Sequence, residues 1–188
     1  MEPANENRPV RTLIEPAALE RRVAELAAEI DRDHAGRAES EPLIAVGVLK
    51  GSVFFLCDLL KRMTVPVAVD FLQTSSYGAG TSPGEIRILK DVDLALRGRD
   101  VLLVEDVVDT GYTLQTVLAL LRFRGARSVK LCALLDKRAA RRVEVPIDYC
   151  GFVIENHFVV GYGLDAGERY RNLPYIGIYE GVYEIPET

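Results

Sequence analysis

Cysteine is scarce in this sequence and follows no pattern. The chain has three cysteines in 188 residues, with neither a CxxC pair nor a spacing typical of zinc ligands. Cys57 and Cys132 lie within apolar runs, where a cysteine is usually a small buried hydrophobic residue. This usage excludes a secreted disulfide scaffold and a structural zinc site. We therefore expect a reduced, cytoplasmic setting.

A basic excess and long hydrophobic runs are also missing. The 23 lysines and arginines are outnumbered by 28 aspartates and glutamates, which gives a net charge of −5. This balance disfavours broad binding to nucleic acid or to anionic membranes, because both need a basic surface. No run approaches the roughly 18 apolar residues that span a bilayer, and the N-terminal residues lack the apolar segment of a signal peptide. We expect no nucleic-acid partner and no membrane partner, but a phosphorylated small molecule is not excluded.

What the sequence has instead is a regular alternation of apolar segments. The runs at 43–49, 101–105 and 128–136 are too continuous for half-exposed strands and are typical of buried strands in parallel sheets. Segments with helical spacing, at 52–63 and 114–125, separate them. Strands that alternate with helices predict right-handed βαβ units, and hence an α/β fold with a central parallel sheet flanked by helices.

The length fits a single domain over residues 1–188. Proline at position 16, followed by apolar residues at helical spacing, predicts a first helix from Pro16 to near Gly36. We expect the core over about 37–146, where strands and helices alternate. The C-terminal residues have short strands, aromatic side chains and a glycine-rich stretch, which predicts a small cap over about 147–188 together with the N-terminal segment.

The most informative stretch is VLLVEDVVDTGYTL, at 101–114. A buried strand ends in the adjacent carboxylates Glu105 and Asp106, and a turn then opens a helix. The N–H groups at a helix N-terminus can hold a phosphate, while paired carboxylates can accept hydrogen bonds from a ribose diol or meet Mg²⁺ through water. Neither GxxxxGK[ST] nor a GxGxxG after a strand is present. The stretch predicts a ribose 5-phosphate site; the plain alternative is an acidic loop that caps a helix.

Five motifs together resemble a known family. EDVVDTGYT is similar to the phosphoribosyl-diphosphate (PRPP) signature of the type I phosphoribosyltransferases, and LKGSVFF is similar to their diphosphate loop. SSYG, LLDKR and FVVGYGLDAGERYRNLPYIG resemble motifs of the hypoxanthine-guanine members, so the resemblance covers about 42–180. It implies the type I fold with a small hood over the base site. It also implies transfer of 5-phosphoribosyl from PRPP to N9 of hypoxanthine, and of guanine, with release of diphosphate, in purine salvage.

The resemblance also implies a role for each matching residue. Asp109 would be the catalytic acid or base at N7 of the purine, and a cis peptide would join Leu49 to Lys50. Some members have a lysine where this chain has Tyr112, which puts one cation near the phosphate in doubt. The other implied contacts are Glu105 and Asp106 with the ribose; Thr110, Gly111, Tyr112 and Thr113 with the 5′-phosphate; Lys50, Gly51 and Arg171 with diphosphate; Lys137, Phe158 and Val159 with the purine; Ser76 and Tyr77 in a closing loop; and Asp165, Glu105 and Asp106 with Mg²⁺.

Other functions share part of this pattern. A xanthine-preferring or adenine-preferring enzyme is the nearest, although a donor at Lys137 and a stacking ring at Phe158 disfavour adenine. A PRPP-sensing regulator that binds RNA would need an extended basic face, and a sensor without turnover would have lost Asp109 or the diphosphate loop. We expect small-molecule substrates, and the resemblance implies a homodimer or a homotetramer.

Overall fold

The chain alternates strands and helices, as its apolar pattern predicts. The computed structural model describes residues 10–76 and 86–181. In chain order the elements are β1 (Val10–Ile14), α1 (Pro16–Asp33), β2 (Leu43–Leu49), α2 (Val53–Leu60), β3 (Val67–Ser76), β4 (Ile86–Lys90), β5 (Asp100–Val108), α3 (Tyr112–Phe123), β6 (Ser128–Asp136), β7 (Tyr149–Val153), β8 (Val159–Val160) and β9 (Ile176–Tyr179).

Six of the strands form the central sheet in the order β4-β3-β2-β5-β6-β7. All neighbours in it are parallel except β4, which runs antiparallel to β3 at one edge. The predicted α/β class with a parallel sheet is thereby confirmed. Because the chain order reverses between β2 and β5, the loops that follow these two strands diverge and leave a crevice, where such sheets bind ligands.

Helices cover both faces of the sheet. Leu102 and Val104 of β5 belong to the apolar cluster that α1 and α2 complete. Val101 and Leu103 belong to a second cluster, completed by α3. Both faces of β5 are therefore buried, which explains why its sequence is a continuous apolar run rather than an alternating one.

A second, smaller sheet forms the cap. It has three antiparallel strands in the order β1-β9-β8, so the N-terminal segment and the C-terminal part of the chain build it together. The cap strands begin at Val159 after the core. β7, at Tyr149–Val153, pairs with β6 in the central sheet, although the sequence analysis places residues from 147 in the cap.

β5 ends later, and α3 begins earlier, than their sequence patterns indicate. β5 continues to Val108, because Val107 and Val108 pair with Leu135 and Asp136 of β6. Asp106, which follows the predicted strand at 101–105, therefore lies inside β5 together with Glu105. α3 begins at Tyr112, two residues before the predicted start at 114, so the turn between strand and helix is short.

Among the described residues, no helix combines the length and the apolar character that a membrane span requires.

Asp100, the first residue of β5, joins three segments of the core. Its carboxylate accepts hydrogen bonds from Arg37 Nη2 at 2.5 Å, from Arg127 Nη2 at 2.6 Å and from Ser128 Oγ at 2.7 Å. The bonds from Arg127, Arg37 and Ser128 outweigh burial and hold the pKa of the carboxyl well below its ordinary value of 3.8. Asp100 thus fixes the start of β5 against the start of β6 and the segment after α1.

Asp100→Asn should lower the free energy of unfolding by about 2–3 kcal/mol near neutral pH, because the largely buried Arg37 loses its counter-ion. A pKa that is lowered by folding gives stability above the unfolded value of 3.8, and this stability is lost as the pH falls further. Urea denaturation over a pH series measures the free energy of unfolding of both proteins. The wild type should exceed the variant by the full amount at neutral pH, and by less as the pH falls below 3.8. Asp93→Asn, at a carboxylate with 84% side-chain exposure, is the control; an equal loss in both variants contradicts this role.

Candidate active site

The predicted site residues meet at the carboxyl ends of β2, β5 and β6, which are neighbours in the sheet. A Cβ atom at Gly51, in the loop after β2, would overlap Oδ2 of Asp106 on β5. Nζ of Lys137, directly after β6, lies 4.0 Å from Oδ2 of Asp109. Three motifs that are far apart in the sequence therefore share one edge of the sheet.

The acidic pair on β5 is partly buried. Oε2 of Glu105 is buried and has no hydrogen-bond partner among the described residues. Burial raises the pKa of Glu105 well above 4.5, and the neighbouring Asp106 charge raises it further. Burial also raises the pKa of Asp106. A carboxylate oxygen left without a partner suits a hydroxyl donor or a hard cation such as Mg²⁺.

The turn between β5 and α3 has the form of an anion cradle. Gly111 precedes the helix at φ +92°, and a Cβ there would come within 2.8 Å of the Val143 carbonyl oxygen. The carbonyl of Thr110 accepts hydrogen bonds from the N–H groups of Arg142 at 2.9 Å and Val143 at 3.1 Å. These bonds turn the carbonyl toward the segment after β6, while the first N–H groups of α3 have no acceptor within the helix.

Arg141 holds this turn in place, a role that is not evident from the sequence around it. Its Nε donates to the carbonyl of Asp109 at 2.9 Å, and its Nη2 donates to Oδ1 of buried Asp136 at 2.5 Å. In the sequence Arg141 is one of several basic residues in KRAARR and looks like part of a solvated surface. No local pattern distinguishes it, because the Asp109 carbonyl is 32 residues away and Asp136, five residues before Arg141, is the last residue of a buried strand.

The loop after β2 carries Lys50 and Gly51. The Leu49–Lys50 peptide is cis, as the resemblance implies. Ser52 is fully buried and its Oγ donates to the Val48 carbonyl at 2.7 Å, which closes the loop onto its own strand. The Lys50 side chain is exposed and its Nζ lies 2.8 Å from Oε1 of Glu168.

The cap reaches the site through Gly163 to Arg171. A Cβ at Gly163 would overlap the Gly51 carbonyl oxygen, so the two backbones are in contact. Nη1 of Arg171 donates to the Gly163 carbonyl at 2.7 Å, and Nη2 lies 2.8 Å from Oδ1 of Asp165. The other carboxylate oxygen of Asp165 accepts the N–H of Glu168 at 2.8 Å.

Over residues 10–76 and 86–181, no three acidic, histidine or cysteine side chains lie close enough together to hold a metal ion by themselves. The structure thus does not assemble Asp165, Glu105 and Asp106 into a closed cage. A Mg²⁺ ion here would take further ligands from a substrate and from water, which is its usual behaviour at phosphate sites.

The residues predicted to meet a purine come from β6 and the cap. Lys137 is 7% exposed, and burial lowers the pKa of its ammonium group while the Asp109 charge opposes this shift. Phe158 is 44% exposed, and its ring packs edge-on against Tyr179 with centroids 5.9 Å apart. Val159 is buried in β8 opposite Ile178.

Three of the remaining predicted residues lie at the ends of a helix or a strand. Tyr112 and Thr113 are the first two residues of α3, and Tyr112 is 37% exposed. Ser76 is the last residue of β3, while Tyr77 lies outside the described residues.

A parallel sheet with an acidic pair and an anion cradle on one strand, a cationic loop on the next and a cap above them is suited to binding a phosphorylated ribose. Residues 12–166 match the family model described as the phosphoribosyl transferase domain. The chain belongs to the phosphoribosyltransferase family, and its fold is the type I fold of that family.

The similar proteins include several with an assigned activity. The hypoxanthine-guanine phosphoribosyltransferase of Bacillus subtilis is 44% identical over 176 residues, which cover 93% of this chain and 96% of that protein. A crystal structure of a hypoxanthine phosphoribosyltransferase from Staphylococcus aureus has a TM-score of 0.84 at 40% identity and covers 90% of each chain. The bifunctional protein TilS/HprT of Listeria monocytogenes is 52% identical over 89% of this chain, but the chain spans only 26% of that protein.

Glu105→Gln should raise the free energy of unfolding of the ligand-free protein near neutral pH, by about 1–2 kcal/mol, because it removes a charge that burial disfavours. A pKa that is raised by folding costs stability as the pH rises from the unfolded value of 4.5 through the raised folded value. The difference in the free energy of unfolding between the variant and the wild type should therefore be small near pH 4.5 and should widen toward neutral pH. Urea denaturation measures it, with the exposed Glu144→Gln as control; a variant less stable than the wild type at neutrality would refute the argument.

Proposed function

We propose that this chain transfers the 5-phosphoribosyl group of PRPP to N9 of hypoxanthine, and of guanine, giving IMP or GMP and diphosphate in purine salvage. The observation that carries the proposal is the convergence of three strand ends. An acidic pair and an anion cradle lie on β5, between the cationic loop after β2 and the buried lysine after β6. The similarity to the B. subtilis hypoxanthine-guanine phosphoribosyltransferase and to the S. aureus hypoxanthine phosphoribosyltransferase supports the proposal.

The ribose 5-phosphate of PRPP binds to β5 and to the turn after it. Glu105 and Asp106 accept hydrogen bonds from the ribose hydroxyls, which would supply the partner that Glu105 Oε2 lacks. The N–H groups and hydroxyls of Thr110, Gly111, Tyr112 and Thr113 hold the 5′-phosphate at the N-terminus of α3. Since Tyr112 is not a lysine, the phosphate depends on backbone donors and hydroxyls at this turn.

The diphosphate of PRPP lies between the loop after β2 and the cap. Lys50 and Arg171 provide positive charge, and the backbone of Gly51 lies beside them. In this reaction the C1′–O bond to diphosphate breaks as the bond from C1′ to N9 forms, and the two cations bind the oxygens on which negative charge accumulates.

Mg²⁺ fits this site as an ion that arrives with PRPP. The carboxylate oxygens of Glu105 and Asp106 are hard ligands, Oε2 of Glu105 has no other partner among the described residues, and Asp165 offers a third carboxylate from the cap. When bound, the ion would neutralise charge on the diphosphate.

The purine binds between β6 and the cap. Lys137 donates to the exocyclic O6, which selects 6-oxopurines because the amino group of adenine is itself a donor. Phe158 stacks on the base, and the backbone of Val159 contacts it. Asp109, 4.0 Å from Lys137, exchanges a proton with N7 as the glycosidic bond forms.

The same proposal includes the surroundings of the enzyme. Ser76 and Tyr77 are the functional core of a closing loop that excludes water from the reacting ribose. The enzyme acts in the cytoplasm as a homodimer or homotetramer, on small-molecule substrates and without a nucleic-acid or membrane partner.

Incubation with PRPP, Mg²⁺ and one base at a time should give nucleotide from hypoxanthine and guanine and little or none from adenine. Ultraviolet absorbance follows the conversion of base to nucleotide. Xanthine is the discriminating fourth base, since a preference for it would move the chain to the xanthine-specific alternative. Failure of both hypoxanthine and guanine to react would overturn the proposed function.

Asp109→Asn should lower kcat by about 10²- to 10⁴-fold, the usual contribution of a general acid or base. The Michaelis constant for PRPP should change little, because the carboxylate acts on the base. Steady-state kinetics with hypoxanthine measures both constants, and Asp93→Asn serves as the charge-matched control on an exposed carboxylate. An unchanged kcat would remove Asp109 from this role.

A further inference from the structure

Glu168 lies between the two cations that the proposed function assigns to diphosphate. Its Oε1 is 2.8 Å from Nζ of Lys50, and its Oε2 is 3.2 Å from Nη2 of Arg171. Lys50 belongs to the loop after β2 and Arg171 belongs to the cap. A single carboxylate therefore bridges the two sides of the diphosphate position, where it supplies anionic oxygens of the kind a diphosphate would supply.

The backbone at Glu168 is unusual for a residue that carries a side chain. Its φ is +62°, in the left-handed region that favours glycine, and it follows Gly167 at φ +59°. The turn is held by the hydrogen bond from the Glu168 N–H to Asp165. A residue with a Cβ pays a steric cost in this conformation, and glycine would not. The presence of glutamate at this position therefore needs an explanation in terms of its side chain.

The bridge is formed but weak. The Lys50 and Glu168 side chains are 55% and 65% exposed, and exposed ion pairs are screened by water and salt. Lys50 and Arg171 lower the pKa of Glu168, so the carboxylate is ionised at neutral pH. Arg171 also contacts Asp165 and the Gly163 carbonyl, so it stays in place when it loses Glu168.

We propose that the Glu168 carboxylate is an internal competitor of diphosphate. It pairs with Lys50 and Arg171 in the free protein, yields them when PRPP or diphosphate binds, and pairs with them again as diphosphate leaves. The inference rests on the proposed function and adds a residue to it. Because pairing with Glu168 lowers the population of protein with free cations, it lowers the apparent affinity for diphosphate by the same fraction.

The test is the affinity for inorganic diphosphate in the presence of Mg²⁺. Glu168→Gln keeps the shape of the side chain and removes its charge, so this variant should bind diphosphate about three- to tenfold more tightly than the wild type. Calorimetry gives the dissociation constant, and inhibition against PRPP gives an independent value. Glu180→Gln is the matched control, because Glu180 is an exposed carboxylate, at 56% against 65% for Glu168, that pairs with Arg11 away from the diphosphate position. It should leave the affinity unchanged.

A second background separates competition from a general loss of negative charge. In Lys50→Met the carboxylate has one cation fewer to occupy, so the gain from Glu168→Gln should shrink. Equal gains in the two backgrounds, or a Glu168→Gln variant that binds diphosphate no better than the wild type, would overturn the inference. If the wild type binds diphosphate and forms nucleotide in those experiments, the proposed function survives; if it does neither, the proposed function fails and this inference fails with it.

Discussion

The contact between the Gly51 backbone and the Asp106 carboxylate is the constraint on which the site depends. β2 and β5 are neighbouring parallel strands, and the first residues of the loop after β2 lie against the acidic end of β5 before the two loops diverge. Only a residue without a Cβ leaves room for the Asp106 oxygen there, and Gly163 allows the cap to approach the Gly51 carbonyl in the same way. The two glycines thus set the distances among the loop, the acidic pair and the cap before any ligand arrives. Such preorganisation reduces the free-energy cost of binding.

This arrangement concentrates unfavourable groups at one end of a strand that is secured at the other. The carboxyl end of β5 holds Glu105 and Asp106, whose raised pKa values reflect the cost of burying their charges. The opposite end begins with Asp100, whose lowered pKa reflects a carboxylate that three donors stabilise. At the functional end of β5, Glu105 Oε2 has no hydrogen-bond partner among the described residues, and Asp106 accepts the Val107 N–H at 2.8 Å. At the opposite end, side-chain donors satisfy the Asp100 carboxylate. A ligand that supplies hydroxyls or a cation would give Glu105 Oε2 a partner and would leave the hydrogen bonds of Asp100 unchanged.

The sequence predicts those parts of the molecule that depend on local patterns. The bounds of β6 and the start of α1 at Pro16 follow from continuous apolar residues and from a proline that suits a helix start. The end of β5 does not, because its polar residues look like a loop until β6 provides their backbone partners. Arg141 and Glu168 are harder still. Each acts through a contact with residues distant in the chain, 32 and 118 positions away, and the surrounding sequence carries no sign of it.

The bridge from Lys50 through Glu168 to Arg171 also bears on the design of inhibitors. Under the proposed function, a compound that imitates diphosphate with negative charge alone would have to separate the Glu168 carboxylate from Lys50 and Arg171. A compound with an anionic group for Lys50 and Arg171 and an amine placed beside it would give Glu168 a new partner instead of leaving it exposed to water. Such a zwitterion would contact Lys50, Glu168 and Arg171 together, and Glu168 would then favour it over compounds that carry negative charge alone.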